Sequence, residues 1–431
     1  MPNLRIKISI FINYFLFAIL LNSVGTVILQ VQRYFGVLAS TAAILEACKD
    51  FSIAIASFLL ASYIARIGYR KSMLIALALM TAACLIIPLV KTFLAVELLF
   101  AITGCCFGLT KISVFGTIGL VTTNDKQHIS MMSFIESFFM IGILSGYFIF
   151  SQYIDDKQAS SAGWFQVYYV LAGLSALAFV LLAFSPLDES AAIRPDASGK
   201  RGQFKGMLRL LLLPVVVSFV VCAFIYVLIE QSIMSWLPTF NHQVLNLAST
   251  TSIRITSLLA ASTAAGRFLA GVALKKWDWP KVLIGCLLAA ACIVLLTMPM
   301  AGAVGRNAHP FWFGLPLAAY CFPLIGFFLA PVYPAINSVI LSSVPKTLHG
   351  QMSGLIVLFS ALGGTLGSII TGIVFQHYGG QTAFYFSLIP ISLLIGALLV
   401  FRKARHRAGM GGAGTGNSLP GAFMKPKLER A

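Results

Sequence analysis

Charge is what this sequence has least of. Only 10% of its 431 residues are Asp, Glu, Lys or Arg, against about a quarter in an ordinary soluble domain. With 59% hydrophobic residues such a chain cannot cover a water-facing surface. That excludes the soluble classes and leaves an integral membrane protein. Acids are the scarcer sign: 13 Asp and Glu stand against 30 Lys and Arg, a formal net charge of +17. In a soluble chain that surplus would point to nucleic acid. Here the basic residues fall in short loops between apolar runs, which is the pattern of membrane topology.

Several signatures are missing. There is no Gly-x4-Gly-Lys-Ser/Thr loop and no long soluble domain, which argues against ATP-driven chemistry by this chain alone. There is no His-Glu-x-x-His and no Gly-x-Ser-x-Gly, so the metal or nucleophile cluster of an intramembrane enzyme is not found. The few histidines lie mainly in or beside loops. The eight cysteines (48, 84, 105, 106, 222, 286, 292 and 321) form no Cys-x-x-Cys pair. They read as small buried hydrophobes, and no cofactor or metal is expected.

What is present is a series of long apolar runs. Twelve spans are expected, at roughly 8–32, 40–64, 72–90, 94–121, 130–152, 166–186, 209–240, 250–274, 281–301, 311–342, 351–375 and 381–401, each long enough to cross a bilayer as a helix. Met1 to Lys7 is short and basic, and the run Ile8 to Leu29 is too long for a signal-peptide core and ends in no clean cleavage site. It reads as an uncleaved first span. The loops alternate in charge. One set holds Arg5, Lys7, Arg66, Arg70, Lys71, Lys126, the 194–209 cluster, Lys275, Lys276, Lys281, Lys346 and the tail. The other holds only Arg33, Lys91, Lys157 and Arg306. Both termini are therefore expected in the cytoplasm, in a multi-pass protein of a bacterial-style inner (plasma) membrane. An even number of spans requires the same.

The polar stretch from Leu187 to Gly206, with Pro, Ser, Gly and mixed charge, reads as a flexible linker. It separates an N-terminal six-helix bundle (1–186) from a C-terminal one (209–405), with the linker at 187–208 and a disordered cytoplasmic tail at 406–431. His128, Met131, Gly142 and Gly146 recur 221 residues later as His349, Met352, Gly363 and Gly367. With the matching span counts, this favours a duplicated six-helix unit. The expected fold is all-α, twelve transmembrane helices in two pseudo-symmetric bundles. Such a plan favours alternating access over a permanent pore.

The stretch from Ser40 to Lys71 carries the most unusual chemistry. Glu46, Lys49 and Asp50 lie inside an apolar run, where each charge costs about 2.5–3.5 kcal/mol on insertion scales. The run ends in Arg66-Ile67-Gly68-Tyr69-Arg70-Lys71. A basic turn between the second and third spans of twelve, with a central loop, resembles the major facilitator superfamily. That family's loop pattern is Gly-x-x-x-Asp-Arg-x-Gly-Arg-Lys-like; this chain has Ala61 and Ala65 at the leading Gly and the Asp positions. The resemblance covers residues 1 to about 405 and implies a secondary transporter. Three segments are similar to the fucose permease group of proton–sugar symporters: Glu230-x5-Trp236-Leu-Pro, Gly266-Arg267-Phe268 and Tyr333-Pro334-Ala335-Ile336-Asn337. Span five departs, reading Glu136-Ser-Phe-Phe-Met-Ile-Gly142 where that group tends to carry a Gln and an Asn, and span four carries Lys111. The resemblance implies alternating-access transport of a small polar solute, sugar first, coupled to protons. The second reading is proton-driven export of a small anionic metabolite, siderophore or drug, motivated by Lys111 and Arg254.

The candidate residues follow. Glu46 and Asp50, four apart, share a helix face, and Lys49 is within reach of Glu46. Either a Glu46–Lys49 pair leaves Asp50 to carry the proton, or all three form one polar seam. Glu136 and Glu230 are further proton candidates. Lys111 either binds an anionic solute or pairs with Asp50 or Glu136; Gly104 and Gly108 beside it allow a neighbouring helix to approach. Glu230 either accepts hydrogen bonds from the solute or pairs with Arg254 as a gate. Trp236 offers a ring face to a sugar or an aromatic. Arg267 reads as structural. Asn22 is the best-placed cavity liner of Asn13, Asn22 and Gln30, and Asn337 lies beyond the prolines of span ten. Pro331 and Pro334 bend that span, as a hinge or a static kink. Arg66, Gly68, Arg70 and Lys71 form the gating loop. The partners expected are the solute, protons and the bilayer, with the chain acting as a monomer.

Overall fold

The computed structural model describes residues 4–121, 125–158, 160–189, 210–302, 315–343 and 349–407. The side chains of Arg66 and Glu136, the linker beyond Glu189 and the tail beyond Arg407 lie outside the described residues. Helices fill what is described, with no strand among those residues. This is the expected solution in lipid, where an α-helix satisfies every backbone group within its own segment.

The described residues of each of the twelve apolar runs are largely helical. The first six spans are Leu4–Asn22 with Val24–Phe35, Ile44–Ile67, Tyr69–Val90, Phe93–Val121, Asp125–Ser151 and Val167–Ala183. The last six are Pro214–Gln243, Ser249–Lys276, Trp279–Gly302, a broken tenth span from Leu317 to Ser343, His349–Tyr378, and Gly380–Tyr385 with Leu388–Arg407. Among the described residues nine helices are long and apolar enough to cross a membrane. Leu79, Leu89, Phe184, Leu212, Phe268 and Leu296 stand exposed along the outside, where an apolar surface faces lipid rather than water.

Several spans are interrupted, the first and the tenth among them. The first breaks at Ser23, whose hydroxyl bonds back to the Leu20 carbonyl at 2.8 Å. The tenth breaks into Leu317–Cys321, Phe322–Leu324, Ile325–Leu329 and Val332–Ser343. Pro323 and Pro331 lack the N–H that would continue the ladder. The expected bend at Pro331 is therefore present, and Pro323 adds a second interruption.

Glycines set how closely the spans pack. A Cβ on Gly142 would lie 2.6 Å from the Phe15 carbonyl, so span five meets span one backbone to backbone. Gly363 and Gly367 of span eleven lie in the same way on Phe224 and Leu228 of span seven. The glycines that recur in the sequence thus make corresponding contacts, the fifth span on the first and the eleventh on the seventh. Gly104 and Gly108 lie against the Lys49–Ser57 stretch of span two, so the fourth span presses on the segment that carries the buried charges.

Candidate functional site

Glu46, Lys49 and Asp50 are all buried in span two. Lys49 Nζ pairs with Glu46 Oε1 and also stands 3.5 Å from Asp50 Oδ1. Of the two expected arrangements, a Glu46–Lys49 pair that leaves Asp50 alone or one polar seam, the geometry is the second: the lysine bridges both acids, Glu46 one turn before it and Asp50 next to it. Glu46 Oε2 accepts a 2.6 Å hydrogen bond from the Ser235 hydroxyl of span seven. Asp50 Oδ2 lies against the backbone of Gly364 in span eleven. The cluster therefore sits at the junction between the first six spans and the last six. Buried charges need partners, and here some of those partners come from the opposite set of spans.

Glu230 lies midway along span seven. Its Oε1 accepts from the Tyr226 hydroxyl at 2.9 Å and stands 3.9 Å from Arg267 Nη2. The expected alternative partner, Arg254, is elsewhere: its Nε donates to Ser151 Oγ at 3.1 Å. Both arginines are on span eight, about 20 Å apart along its axis, and it is Arg267, not Arg254, that lies beside Glu230. Arg267 was assigned only a structural part by the sequence, yet it is the cation at this site. Tyr226 and Tyr333 stack with centroids 5.5 Å apart, and Tyr333 shares a 3.0 Å hydrogen bond with Ser360. Tyr226, Glu230, Met234, Leu259, Thr263 and Gly326 line a small cavity between spans seven, eight and ten. Asn337, half-buried on span ten, has its amide oxygen buried with no partner among the described residues.

Trp236 is corrected too. Its ring is fully buried, its Nε1 donates to the carbonyl and hydroxyl of Ser368 at 3.1 Å each, and Phe375 lies 5.4 Å away. It pins span seven to span eleven and presents no open face. Asn22 is likewise turned inward on its own helix, donating to the Ala18 carbonyl at 2.9 Å. Asn13, fully buried, has both amide atoms without a partner among the described residues. Lys111, half-buried, reaches over the Phe107 ring at 5.8 Å.

The two sets of spans also meet on the face poor in basic loops. Ser40 Oγ donates to Gln376 Oε1 at 2.6 Å. Asp156 takes the Thr250 N–H at 3.0 Å and its hydroxyl, capping the start of span eight. A Cβ on Gly25 would lie 2.8 Å from the Ser235 carbonyl, so spans one and seven touch at the backbone.

On the opposite, basic face, Gly68 takes φ +96, a conformation open to glycine. The Arg70 N–H donates to Glu189 Oε1 at 2.7 Å. The Arg70 guanidinium donates to the carbonyls of Leu182 at 3.3 Å and Ala183 at 2.5 Å, neutralising the end of span six. Ala65 removes the acid from the loop pattern, and Glu189 supplies a carboxylate to the same loop. Lys71 is exposed. Sequence reasoning missed Glu189 because it lies 119 residues from Arg70, at the start of what read as a flexible linker.

The family model of the major facilitator superfamily matches residues 10–368. Similar solved structures include a D-xylose–proton symporter, at TM-score 0.73 and 14% identity, covering 92% of this chain and 97% of that one. The nucleoside transporter NupG aligns at TM-score 0.69 and 15% identity, covering 93% of this chain and 98% of that one. A bacterial homologue of the human lysosomal transporter Spinster, inward-facing and occupied, aligns at 0.70 and 13%, covering 93% and 96%. No curated protein sequence matches the chain.

Proposed function

Because the chain belongs to the major facilitator superfamily, and so is a transporter and not an enzyme, we propose that it moves a small polar solute across the inner membrane by alternating access coupled to protons. The leading solute class is a sugar. The observation that carries the reading is the Glu46–Lys49–Asp50 cluster, buried and joined through Ser235 to the other set of spans. A carboxylate inside a span is costly and marks the proton relays of pumps and transporters. An acid at the junction can pass the uptake of a proton to the contact that must open. The resemblance to the fucose permease group, with a xylose–proton symporter and a nucleoside transporter among the fold's neighbours, supports a hydroxyl-bearing solute.

Asp50 and Glu46 serve as the proton-carrying acids, with Glu136 as a further candidate. Glu230, Lys111 and Asn337 face the solute path, and Pro331 with Pro334 acts as the hinge of span ten. Both termini lie in the cytoplasm, and the protein works as a monomer of two six-helix halves. A second reading, proton-driven export of a small anion, is favoured by the cations Lys111 and Arg267.

The test is transport in proteoliposomes. Asp50→Asn is expected to abolish accumulation against a gradient while keeping counterflow, the exchange of labelled for unlabelled solute. Accumulation that survives in both Asp50→Asn and Glu46→Gln would show that these acids do not couple the proton.

A further inference from the structure

Arg267 is short of acceptors. Its Nη2 stands 3.9 Å from Glu230, beyond the 2.7–2.9 Å of a charge-assisted hydrogen bond. Among the described residues its Nη1 meets only the Met140 sulfur, at 3.8 Å, a weak acceptor. Its Nε is buried with no partner among the described residues. A guanidinium has five N–H donors in a fixed fork, and among the described residues none of them has an oxygen acceptor within hydrogen-bond distance. Buried charges are ordinarily both paired and hydrogen-bonded.

The same place also has a spare acceptor. Both contacts of Glu230 fall on Oε1. Its Oε2 takes no hydrogen bond among the described residues, and Glu230 itself lines the cavity bounded by Tyr226 and Thr263. Arg267 also spans the junction, with Met140 on span five to one side and Glu230 on span seven to the other. Its side chain keeps 33% exposure, so a molecule between the two sets of spans can reach it.

We propose that Arg267 anchors a carboxylate of the transported solute and Glu230 receives its hydroxyls, making the substrate class a small hydroxylated carboxylate, such as a sugar acid. This rests on the transporter reading above and narrows its solute. The planar fork matches a carboxylate by two parallel N–H···O bonds. The free Glu230 oxygen takes an O–H donor two bonds of chain further on. A neutral sugar would satisfy Glu230 and offer the guanidinium only single hydroxyl oxygens, not the paired anionic oxygens that match its fork.

The experiment is a thermal-shift and calorimetric titration of the detergent-purified full chain with D-gluconate, D-galacturonate and D-glucose. A ligand that binds the native state raises its unfolding temperature by mass action. At least one of the two acids is expected to stabilise the protein where glucose does not. Arg267→Gln is expected to weaken that response about ten- to a hundredfold, the scale of hydrogen bonds to a charged group. Arg267→Lys, which keeps the charge and loses the fork, should fall between. A shift with glucose but with neither acid, or an unchanged response in Arg267→Gln, overturns the assignment. Glu136 lies one turn from Met140, so an Arg267→Gln/Glu136→Gln double variant separates an anchor from a structural pair. Recovery of acid binding in that double variant also overturns the assignment. Silence from all three compounds overturns it as well, while counterflow with other solutes still decides whether the chain transports at all.

Discussion

At the residue scale, a few of the chain's 13 acids are placed where they cost most. Glu46 is fully buried and held by Lys49 and Ser235. Ser235→Ala deletes the donor that the last six spans give to that carboxylate. The expected result is a lower unfolding temperature, corresponding to about 1.5–3 kcal/mol for a hydrogen bond to a charged group, read by thermal unfolding in detergent. Trp236→Phe keeps most of the ring volume but removes the donor shared by the two Ser368 oxygens. It is expected to cost about 1–3 kcal/mol and to leave solute affinity unchanged by calorimetry, because the ring is sealed between spans seven and eleven. That Glu46, Asp50 and Glu230 lie inside spans was legible in the sequence, since charge in an apolar run stands out. Their partners were not. Arg254 and Arg267 occupy one helix, and sequence alone does not reveal which of them lies beside Glu230. Trp236 read as an open ring face for a related reason: burial between two helices depends on which neighbour packs against it.

At the element scale, small residues and prolines decided the arrangement, and these were largely readable. The twelve runs, the bend at Pro331 and the glycines recurring at one offset all appear as helix, break and close contact. The break at Ser23 was not readable, because neither proline nor glycine occupies that position. A Cβ and methyls on Gly363 would be forced into the Phe224 backbone. Gly363→Val is expected to cost about 1–3 kcal/mol by overpacking and to lower the yield of folded protein in size-exclusion chromatography. Pro331→Ala is expected to slow counterflow while leaving the dissociation constant of the solute unchanged, because it would restore the broken ladder and stiffen the hinge. Equal rates in the two proteins would make the break a fixed kink. Glu189 was invisible for a different reason. A carboxylate joining a loop across 119 residues leaves no local pattern, and its surroundings read as linker.

At the scale of the whole molecule, the structure is closed on the face poor in basic loops, where Ser40–Gln376, Asp156–Thr250 and Ser151–Arg254 join the two sets of spans. In a background without native cysteines, Ser40→Cys/Gln376→Cys is expected to cross-link on mild oxidation and to stop transport, with activity returning on reduction. Transport that continues while the link is intact would mean this face need not open. A further consequence lies in the buried cluster, where Glu46, Lys49 and Asp50 together carry net one negative charge when both acids are ionised. Carrying one elementary charge across a full membrane potential is worth about 2.3 kcal/mol per 100 mV. In the proton-coupled reading, a proton on either acid makes the cluster electrically neutral. With a neutral solute the loaded carrier would then cross without feeling the voltage, and the empty carrier, still anionic, would be drawn outward by an inside-negative membrane. A resting potential would then speed the return stroke alone, whereas a carboxylate solute would put one negative charge back on the loaded carrier and make both strokes feel the voltage.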